Sequence, residues 1–477
     1  MKQETKNHDF ERYCDEMLKR YSVPGFAIGL AKDGELHYER GVGFRDMEAK
    51  LPLSADTVFG VGSITKAFTA IAILQLQEKG KLSVTEPVTK YLPEWQMSDE
   101  KQTKQTTIHH FLTHTSGLPP LATLMGALKK SMEKDPIFED GQPQENPLNA
   151  VQAIDTYSEL MDAIANTAFT PLGSPGAVFS YSNDAYALLG AIVERVSGKR
   201  YEQFVKDNIL EPAGMHNSGF QIGELEGYED IAVLYDRRKK NEEEMICRSN
   251  NHWDAPAMHA AGFLKSTVND ILKFTEIIRN EGKVGGVRIL SAESVRAMTT
   301  PYIQCELGTY YGYGFMIMPD FFGYKLIHHG GDIKGVTAQM NILPELGLTG
   351  ISLANLAGAP SSKLLFGAFS RYVDKPIDSS HFDAEVVDLT YESLLEYAGT
   401  FISGEGMKID FYVENGRLLF ETAGFPETAL KPIGNDRFLF TMREMDATIH
   451  FERNKDRKID RAEFGFRQIP KVDGDIR

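Results

Sequence analysis

The strongest hydrophobic pattern in the chain runs from residue 64 to residue 76. Apolar residues occupy nearly every side of a 3.6-residue repeat there, which is typical of a helix buried in a core. Gly80 follows and is suited to ending such a helix. Ser63 and Lys66 stand at the helix start, three residues apart and therefore on one face. We predict that the Lys66 ammonium reaches the Ser63 hydroxyl within the first turn.

Strand patterns lie at both ends of the first 375 residues, around a mainly helical middle. Residues 26–31 form an apolar run, and Asp33-Gly34 predicts a hairpin into a second strand at residues 36–40. Further strands are predicted at residues 313–317, 324–327, 339–343 and 350–353, and helices at residues 157–166, 185–196, 268–279 and 362–373. This order predicts an α+β fold whose antiparallel sheet joins chain-distant strands and is flanked by helices, with a helical subdomain.

Near residue 397 the sequence pattern changes to short predicted strands separated by turns, such as Asn415-Gly416. Regular turn spacing predicts a small all-β barrel. We therefore predict a domain at residues 1–375, a linker at residues 376–395 and a barrel domain at residues 396–477.

Two charged segments admit a second interpretation. Residues 452–463 have the spacing of a calcium loop, but Arg457 stands at the sharp turn where such loops need Gly, so we favour a charged hairpin. The run at residues 236–244 is interpreted as a solvated face.

Composition narrows the possible partners. The chain has 477 residues, too many for one ordinary core, and a net charge of −16, which argues against nucleic acid and anionic membranes. The three cysteines are scattered, and no phosphate loop or metal motif occurs, so we expect no cofactor and no metal. His110 and His114 are spaced as metal ligands, but we favour packing and hydrogen bonding because a third ligand is missing. The expected partner is a small molecule or short peptide.

The start of the chain shows no apolar leader, and no stretch is long and apolar enough to span a membrane. A cytoplasmic location is therefore expected, although a secreted form trimmed of its signal would look the same.

The chemistry predicted for the helix start is nucleophilic attack by Ser63 with help from Lys66. A lysine at the edge of a buried helix loses solvation, which lowers its pKa and lets the neutral amine act as a base. The helix N-terminus favours negative charge at Ser63. Taken alone, the pair also fits a capping serine and a solvated lysine.

Two later motifs favour the catalytic interpretation. Tyr181-x-Asn183 offers a phenol that moves protons and an amide that binds a carbonyl or Lys66. His328-x-Gly330 is predicted to end a strand, so that the His328 ring lines a cleft. The backbone at Gly330 and Gly331 can approach a substrate closely.

In this order the motifs resemble those of the β-lactamase-related serine hydrolases: class C β-lactamases, D-Ala-D-Ala carboxypeptidases, D-aminopeptidases and related esterases. The resemblance covers about residues 24–373. The matching segments are Val23-Pro24-Gly25, Asp56-Thr57-Val58-Phe59, Ser63-x-x-Lys66, Gly80-Lys81-Leu82, the run from Leu112 to Leu118, Tyr181-Ser182-Asn183 and His328-His329-Gly330-Gly331.

The resemblance implies a role for each motif residue. Ser63 would be the acylated nucleophile, Lys66 and Tyr181 would share proton transfer, and Asn183 would bind substrate. The backbone N–H groups of Ser63 and Gly331 would form the oxyanion hole. The tail from residue 397 to about residue 466 resembles the lipocalin-like barrel of some members, where it lies near the catalytic cleft.

One departure from the family pattern concerns the substrate. Class C β-lactamases carry Lys-Thr-Gly where this chain has His328-His329-Gly330, so efficient β-lactam hydrolysis is not expected. His328 would either hold a substrate carboxylate when charged or only hydrogen-bond when neutral. The leading hypothesis is a serine hydrolase that acts through an acyl-enzyme on small amides or peptides containing D-residues. The alternatives are an esterase on small acyl esters and a penicillin-binding sensor with negligible turnover.

Overall fold

The structure is a computed structural model. It describes residues 2–135, 148, 151–225, 228–240, 243–249, 252–382, 384–423, 425–442 and 444–472.

The described strands form two large antiparallel sheets and three two-stranded pairs, β4–β7, β5–β6 and β8–β9. A nine-stranded sheet has the order β10-β11-β12-β13-β14-β15-β1-β2-β3, and an eight-stranded sheet runs in chain order from β16 to β23. The strands are β1 (Gly25–Lys32), β2 (Glu35–Asp46), β3 (Leu51–Pro52), β4 (Phe59–Gly60), β5 (Leu234–Lys240), β6 (Glu243–Ser249), β7 (Lys265–Ser266), β8 (Lys283–Val284), β9 (Val287–Arg288), β10 (Ile303–Glu306), β11 (Thr309–Tyr311), β12 (Met316–Phe321), β13 (Tyr324–Ile333), β14 (Val336–Leu343), β15 (Leu348–Ala354), β16 (Gly399–Ile402), β17 (Lys408–Glu414), β18 (Arg417–Thr422), β19 (Thr428–Gly434), β20 (Arg437–Met442), β21 (Met445–Arg453), β22 (Ile459–Phe464) and β23 (Arg467–Pro470).

Helices cover both faces of the nine-stranded sheet. They are α1 (Lys2–Arg20), α2 (Thr65–Glu78), α3 (Glu100–Gln105), α4 (Ile108–Leu112), α5 (Thr123–Met132), α6 (Tyr157–Asn166), α7 (Asn183–Ser197), α8 (Tyr201–Val205), α9 (His259–Gly262), α10 (Val268–Arg279), α11 (Ala292–Met298), α12 (Ser361–Tyr372) and α13 (Tyr391–Leu395). No helix in the described ranges carries an apolar stretch long enough to cross a bilayer.

The central strand β1 shows how the two faces are filled. Its alternating side chains divide between two cores: Ala27 joins the core around α2 and α10, and Ile28 joins the core around α1 and α12. Because successive residues of a strand point to opposite faces, a strand covered on both sides reads as a continuous apolar run. The predicted α+β fold, with a sheet built from strands at both ends of the first 375 residues, is confirmed.

Helix α2 passes through the centre of the larger core. All its residues from Thr65 to Leu76 are buried, and Gly80 beyond its end has φ 65°, a left-handed conformation that glycine adopts without strain. Ser63 does not lie in the α-helix itself: it lies in the 3-10 turn Gly62–Ile64 that leads into it.

The C-terminal sheet is an up-and-down barrel that nearly closes on itself. Phe401 of β16 bridges to Lys471 just after β23, and the Val472 N–H donates to the Thr400 carbonyl at 2.9 Å. The interior is packed with aromatic side chains, among them Phe401, Phe411 and Phe451. The confirmed all-β barrel therefore has a packed core of its own.

The described parts of the charged run at residues 236–244 belong to strands β5 and β6, which pair with each other, and the prediction of a solvated face stays a prediction. Two local predictions differ from the structure. Strand β12 begins at Met316, not at residue 313. His328 lies inside β13 and does not end it, because β13 continues through the two glycines to Ile333. The domain boundaries at residues 375 and 396 stay a prediction.

Gly331 is where β13 touches the turn that carries Ser63. A Cβ at Gly331 would lie 2.1 Å from the Val61 carbonyl oxygen, whereas a Cβ at exposed Gly223 would meet nothing within 4 Å. We expect Gly331→Ala to destabilise the protein by about 1–3 kcal/mol, as overpacking does, and Gly223→Ala to change stability by less than about 0.5 kcal/mol. Thermal denaturation measures both, and equal melting temperatures for the two variants would contradict this close contact.

Candidate active site

Ser63 is held in place by the backbone on both sides of its turn. Gly62 has φ 53°, and a Cβ there would lie 2.7 Å from the Asp332 nitrogen of β13. On the other side, the Thr65 hydroxyl donates to the Gly62 carbonyl at 2.7 Å and accepts from the Leu264 N–H at 3.2 Å. The turn is thus clamped between β13 and the segment after α9.

Lys66 lies in the first turn of α2, and its amine contacts three oxygen atoms. Its Nζ lies 3.2 Å from Ser63 Oγ, 2.8 Å from Asn183 Oδ1 and 2.6 Å from the Ala261 carbonyl oxygen. The side chain is fully buried. In the neutral amine, two N–H bonds serve Asn183 and Ala261, and the remaining lone pair faces the Ser63 hydroxyl.

The Ala261 carbonyl is fixed by a buried histidine at the start of α9. His259 contacts Glu202 through Nδ1 at 2.5 Å and Asp254 through Nε2 at 2.7 Å. Although burial lowers the pKa of His259, the hydrogen bonds to Asp254 and Glu202 raise it above its ordinary value overall. A charged histidine between two carboxylates anchors α9 and hence one of the acceptors of Lys66.

Tyr181 stands on the other side of Ser63, just before α7. The His114 ring packs against it at a tilt, with centroids 4.3 Å apart, and His114 Nδ1 accepts the Ser182 N–H at 3.0 Å. The Ser182 side chain caps α7, so Asn183 opens that helix facing Lys66. His114 adopts φ 57°, a strained conformation that directs its ring towards Tyr181.

Burial sets the protonation of the two groups that flank Ser63 in opposite ways. Loss of solvation lowers the pKa of Lys66 well below its ordinary value, and the positive charge of Arg467 lowers it further. Loss of solvation also raises the pKa of Tyr181 above its ordinary value, although a hydrogen bond with Ser63 opposes that shift. These shifts favour a lysine amine that accepts a proton and a tyrosine phenol that keeps one.

The barrel contributes directly to this site through its β22–β23 hairpin. The Tyr181 N–H donates to the Phe466 carbonyl at 2.8 Å, and the Gln468 amide donates to the Phe179 carbonyl at 3.3 Å. The Arg467 guanidinium lies over the Tyr181 ring, 5.2 Å from its centroid, and pairs with Glu405 at 2.8 Å. The hairpin therefore forms one wall of the catalytic cleft.

Adjacent histidines of β13 face opposite sides of the sheet. Ile327 belongs to the core around α2 and Leu326 to the core around α12, so His329 points to the side of Ser63 and His328 to the side of α12. The His329 Nε2 lies 3.1 Å from the Tyr311 hydroxyl, and its ring centroid is 6.2 Å from that of Tyr181. The His328 ring packs at 5.3 Å from Phe366 of α12.

His328 is not the charged anchor considered from the sequence. Burial, together with the neighbouring His329 and His381, lowers the pKa of His328 to about 3, so it is neutral at physiological pH. Burial also lowers the pKa of His329 to about 4, although a hydrogen bond to the Gly330 carbonyl opposes this. A substrate carboxylate would find no histidine cation on β13.

The structure thus brings together Ser63, Lys66, Tyr181 and Asn183, and it presses Gly331 against the turn of Ser63. It does not bring His328 or Gly330 to this cluster, because both lie on the α12 side of β13. Sequence reasoning missed His329, Ala261 and the barrel pair Arg467 and Glu405. Only His329 had a signal, since His-His-Gly-Gly fits the motif in two registers that differ by one residue.

Comparison with known proteins agrees with this geometry. Residues 10–366 match the protein family described as Beta-lactamase, and the chain belongs to that family. The chain is similar to penicillin-binding protein 4* of Bacillus subtilis (strain 168), with 24% identity over 96% of each chain. The octameric penicillin-binding protein homologue from Pyrococcus abyssi is 29% identical, with a TM-score of 0.68 over 97% of this chain and 99% of that one. A D-stereospecific amidohydrolase from Streptomyces sp. shares the fold at 24% identity, with a TM-score of 0.57 over 72% of this chain and 93% of that one.

The charges of the barrel pair predict opposite shifts in the pH dependence of catalysis. Arg467 lowers the pKa of Lys66 and Glu405 raises it. If neutral Lys66 is the active form, kcat/KM rises with pH through the pKa of Lys66. Arg467→Gln should therefore move this rise to higher pH, and Glu405→Gln should move it to lower pH.

The measurement is kcat/KM against pH for each variant on one uncharged substrate. Arg417→Gln, a change of the same charge on barrel strand β18, serves as the control and should leave the profile in place. Shifts of the same sign in Arg467→Gln and Glu405→Gln would contradict an electrostatic effect on Lys66.

Proposed function

We propose that the protein is a serine hydrolase that acts through an acyl-enzyme on small amides or peptides, including those with D-residues. The observation that carries this proposal is the environment of Lys66: a buried amine whose two N–H bonds are directed to Asn183 and Ala261, with Ser63 Oγ at 3.2 Å in the remaining direction. A serine next to a desolvated, neutral amine is an activated nucleophile.

The proposed reaction begins with attack of Ser63 Oγ on the substrate carbonyl, while the serine proton passes to Lys66 Nζ. The C–N bond then breaks, and the leaving amine takes a proton from the Tyr181 hydroxyl, which is reprotonated from Lys66. Water repeats the same steps on the acyl-enzyme and releases the acid and Ser63. The raised pKa of Tyr181 supports its role as the proton donor, because the phenol stays protonated until the leaving group needs it.

The relatives support the amide as the bond that is cleaved. The Pyrococcus abyssi homologue extends the likeness over nearly the whole chain, barrel included, and is named a penicillin-binding protein homologue. A protein that shares the fold is named a D-stereospecific amidohydrolase. The preference for D-residues and the lipocalin-like character of the barrel are parts of this proposal.

The identity of the nucleophile is tested by covalent labelling. We expect Ser63→Ala to abolish labelling by a fluorophosphonate or a fluorescent penicillin without changing the melting temperature, because Ser63 is the serine whose Oγ lies beside the buried Lys66 amine. Ser158→Ala, a change of the same size at an exposed position of helix α6, should label like the wild type. Full labelling of Ser63→Ala would overturn the proposal.

Proton transfer is tested by combining two substitutions. Lys66→Ala and Tyr181→Phe should each lower kcat about 10²–10⁴-fold, the range for general acid–base groups. The double variant should lose little more than the worse single one, because the two residues act on the same proton. Losses that multiply in the double variant would show that the two residues work independently.

Turnover of a D-amino amide and of a 4-nitrophenyl ester of the same acid distinguishes amidase from esterase activity.

A further inference from the structure

The cavity at Ser63 continues well beyond the catalytic cluster. It has a volume of about 520 Å³ and extends from Ser63, Tyr181 and Asn183 between the nine-stranded sheet and the barrel. We call its far part the interdomain chamber. Its apolar wall comes from Met316, Met318 and Phe366 on the catalytic side and from Phe440, Met442 and Phe464 on the barrel.

One polar group in the wall of the interdomain chamber has no partner. His328 is only 6% exposed, lines the cavity, and its Nε2 is buried without a hydrogen bond to any described residue. Buried polar groups are normally satisfied, so an orphaned one that lines a cavity points to a ligand atom.

The hydrogen bonds around His328 indicate which kind of ligand atom would contact its Nε2. The Gln339 side chain accepts from Ser362 through Oε1 at 2.9 Å and donates to Asn341 through Nε2 at 2.8 Å. The same Nε2 lies 3.4 Å from the Met340 carbonyl oxygen and 3.5 Å from His328 Nδ1. On that long contact we assign His328 Nδ1 as the acceptor, which puts the ring proton on Nε2. His328 is neutral, because burial lowers its pKa to about 3. A neutral donor suits a carbonyl oxygen.

The charged side chains around the cavity do not favour a charged ligand. Side chains of both signs line it: Glu306, Asp332, Asp446 and Glu463 are acidic, and Lys363, Arg437 and Arg467 are basic. Burial raises the pKa of Glu306 to about 7, which keeps part of that carboxyl uncharged near neutral pH. No single sign dominates.

We propose that the interdomain chamber is a substrate subsite for a large, apolar, uncharged group that carries a carbonyl oxygen, such as an N-acyl chain. The His328 Nε2–H donates to that carbonyl while the methionine and phenylalanine side chains bury the chain. This inference rests on the proposed function, because it assigns the group to the substrate of Ser63. It makes His328 a specificity residue.

The test is binding to the full-length Ser63→Ala protein, which needs no turnover. N-octanoyl-D-alaninamide should bind more than about tenfold tighter than N-acetyl-D-alaninamide by isothermal titration calorimetry, since burial of each methylene contributes up to about 0.8 kcal/mol. Adding Met442→Trp should narrow the chamber and reduce this preference to less than about threefold. Adding Ile402→Trp, on an exposed barrel position away from the cavity, should leave it unchanged.

His328 is tested by removing its donor while keeping a ring. In the same background, His328→Phe should weaken binding of N-octanoyl-D-alaninamide about tenfold, because the carbonyl loses its partner. N-octyl-D-alaninamide lacks that carbonyl, so its affinity should change less than about twofold in the same comparison. A merely structural role for His328 would weaken both ligands alike.

Equal affinities for the acetyl and octanoyl amides, or equal effects of the two tryptophan substitutions, would overturn the subsite. A failure of the proposed function itself would give a different result. In that case wild-type Ser63 resists labelling and no amide or ester is turned over, whatever the affinities of the Ser63→Ala protein are.

Discussion

The burial of the Lys66 amine is the constraint on which the rest of the site depends. An ammonium removed from water needs a compensating carboxylate, or it costs several kcal/mol. The three groups within hydrogen-bond distance of Nζ, on Ser63, Asn183 and Ala261, are all neutral. The fold therefore favours the neutral amine, whose two N–H bonds are satisfied and whose lone pair has only the serine to face.

A second lysine with a buried side chain, Lys334, has charged partners in place of the neutral partners of Lys66. Lys334 is also shielded, but its Nζ lies 3.1 Å from Asp135 and 2.5 Å from Asp236. Those ion pairs tie distant segments of the chain together. The difference lies in the partners: Lys334 contacts two carboxylates, whereas Lys66 contacts neutral oxygen atoms, and its pKa is lowered by burial and by the charge of Arg467.

The sequence allowed the α+β fold, the helix that carries Lys66 and the C-terminal barrel to be predicted, because each depends on local periodicity or turn spacing. The cluster of Ser63, Lys66, Tyr181 and Asn183 came from motif order and resemblance. The side of the sheet that His328 faces could not be predicted, because a shift of one residue along a strand exchanges its two faces. The contact of Arg467 with Tyr181 could not be predicted either. It depends on how the barrel docks, and docking leaves no periodic pattern in the sequence.

The docking of the barrel is specific enough to matter for Lys66. Directed contacts fix its position: Phe466 accepts the Tyr181 N–H, and a Cβ at Gly404 would lie 2.1 Å from the Pro120 carbonyl oxygen. Arg467 and Glu405 arrive together, one lowering and the other raising the pKa of Lys66. Both residues lie more than 300 positions beyond Lys66 in the chain. Because their effects on the pKa of Lys66 oppose each other, a small movement of the β22–β23 hairpin changes the electrostatic balance at the amine. The free energy of barrel docking and the protonation of Lys66 are therefore linked: whatever holds the hairpin against Tyr181 also contributes to the pKa of Lys66, the proposed base for Ser63.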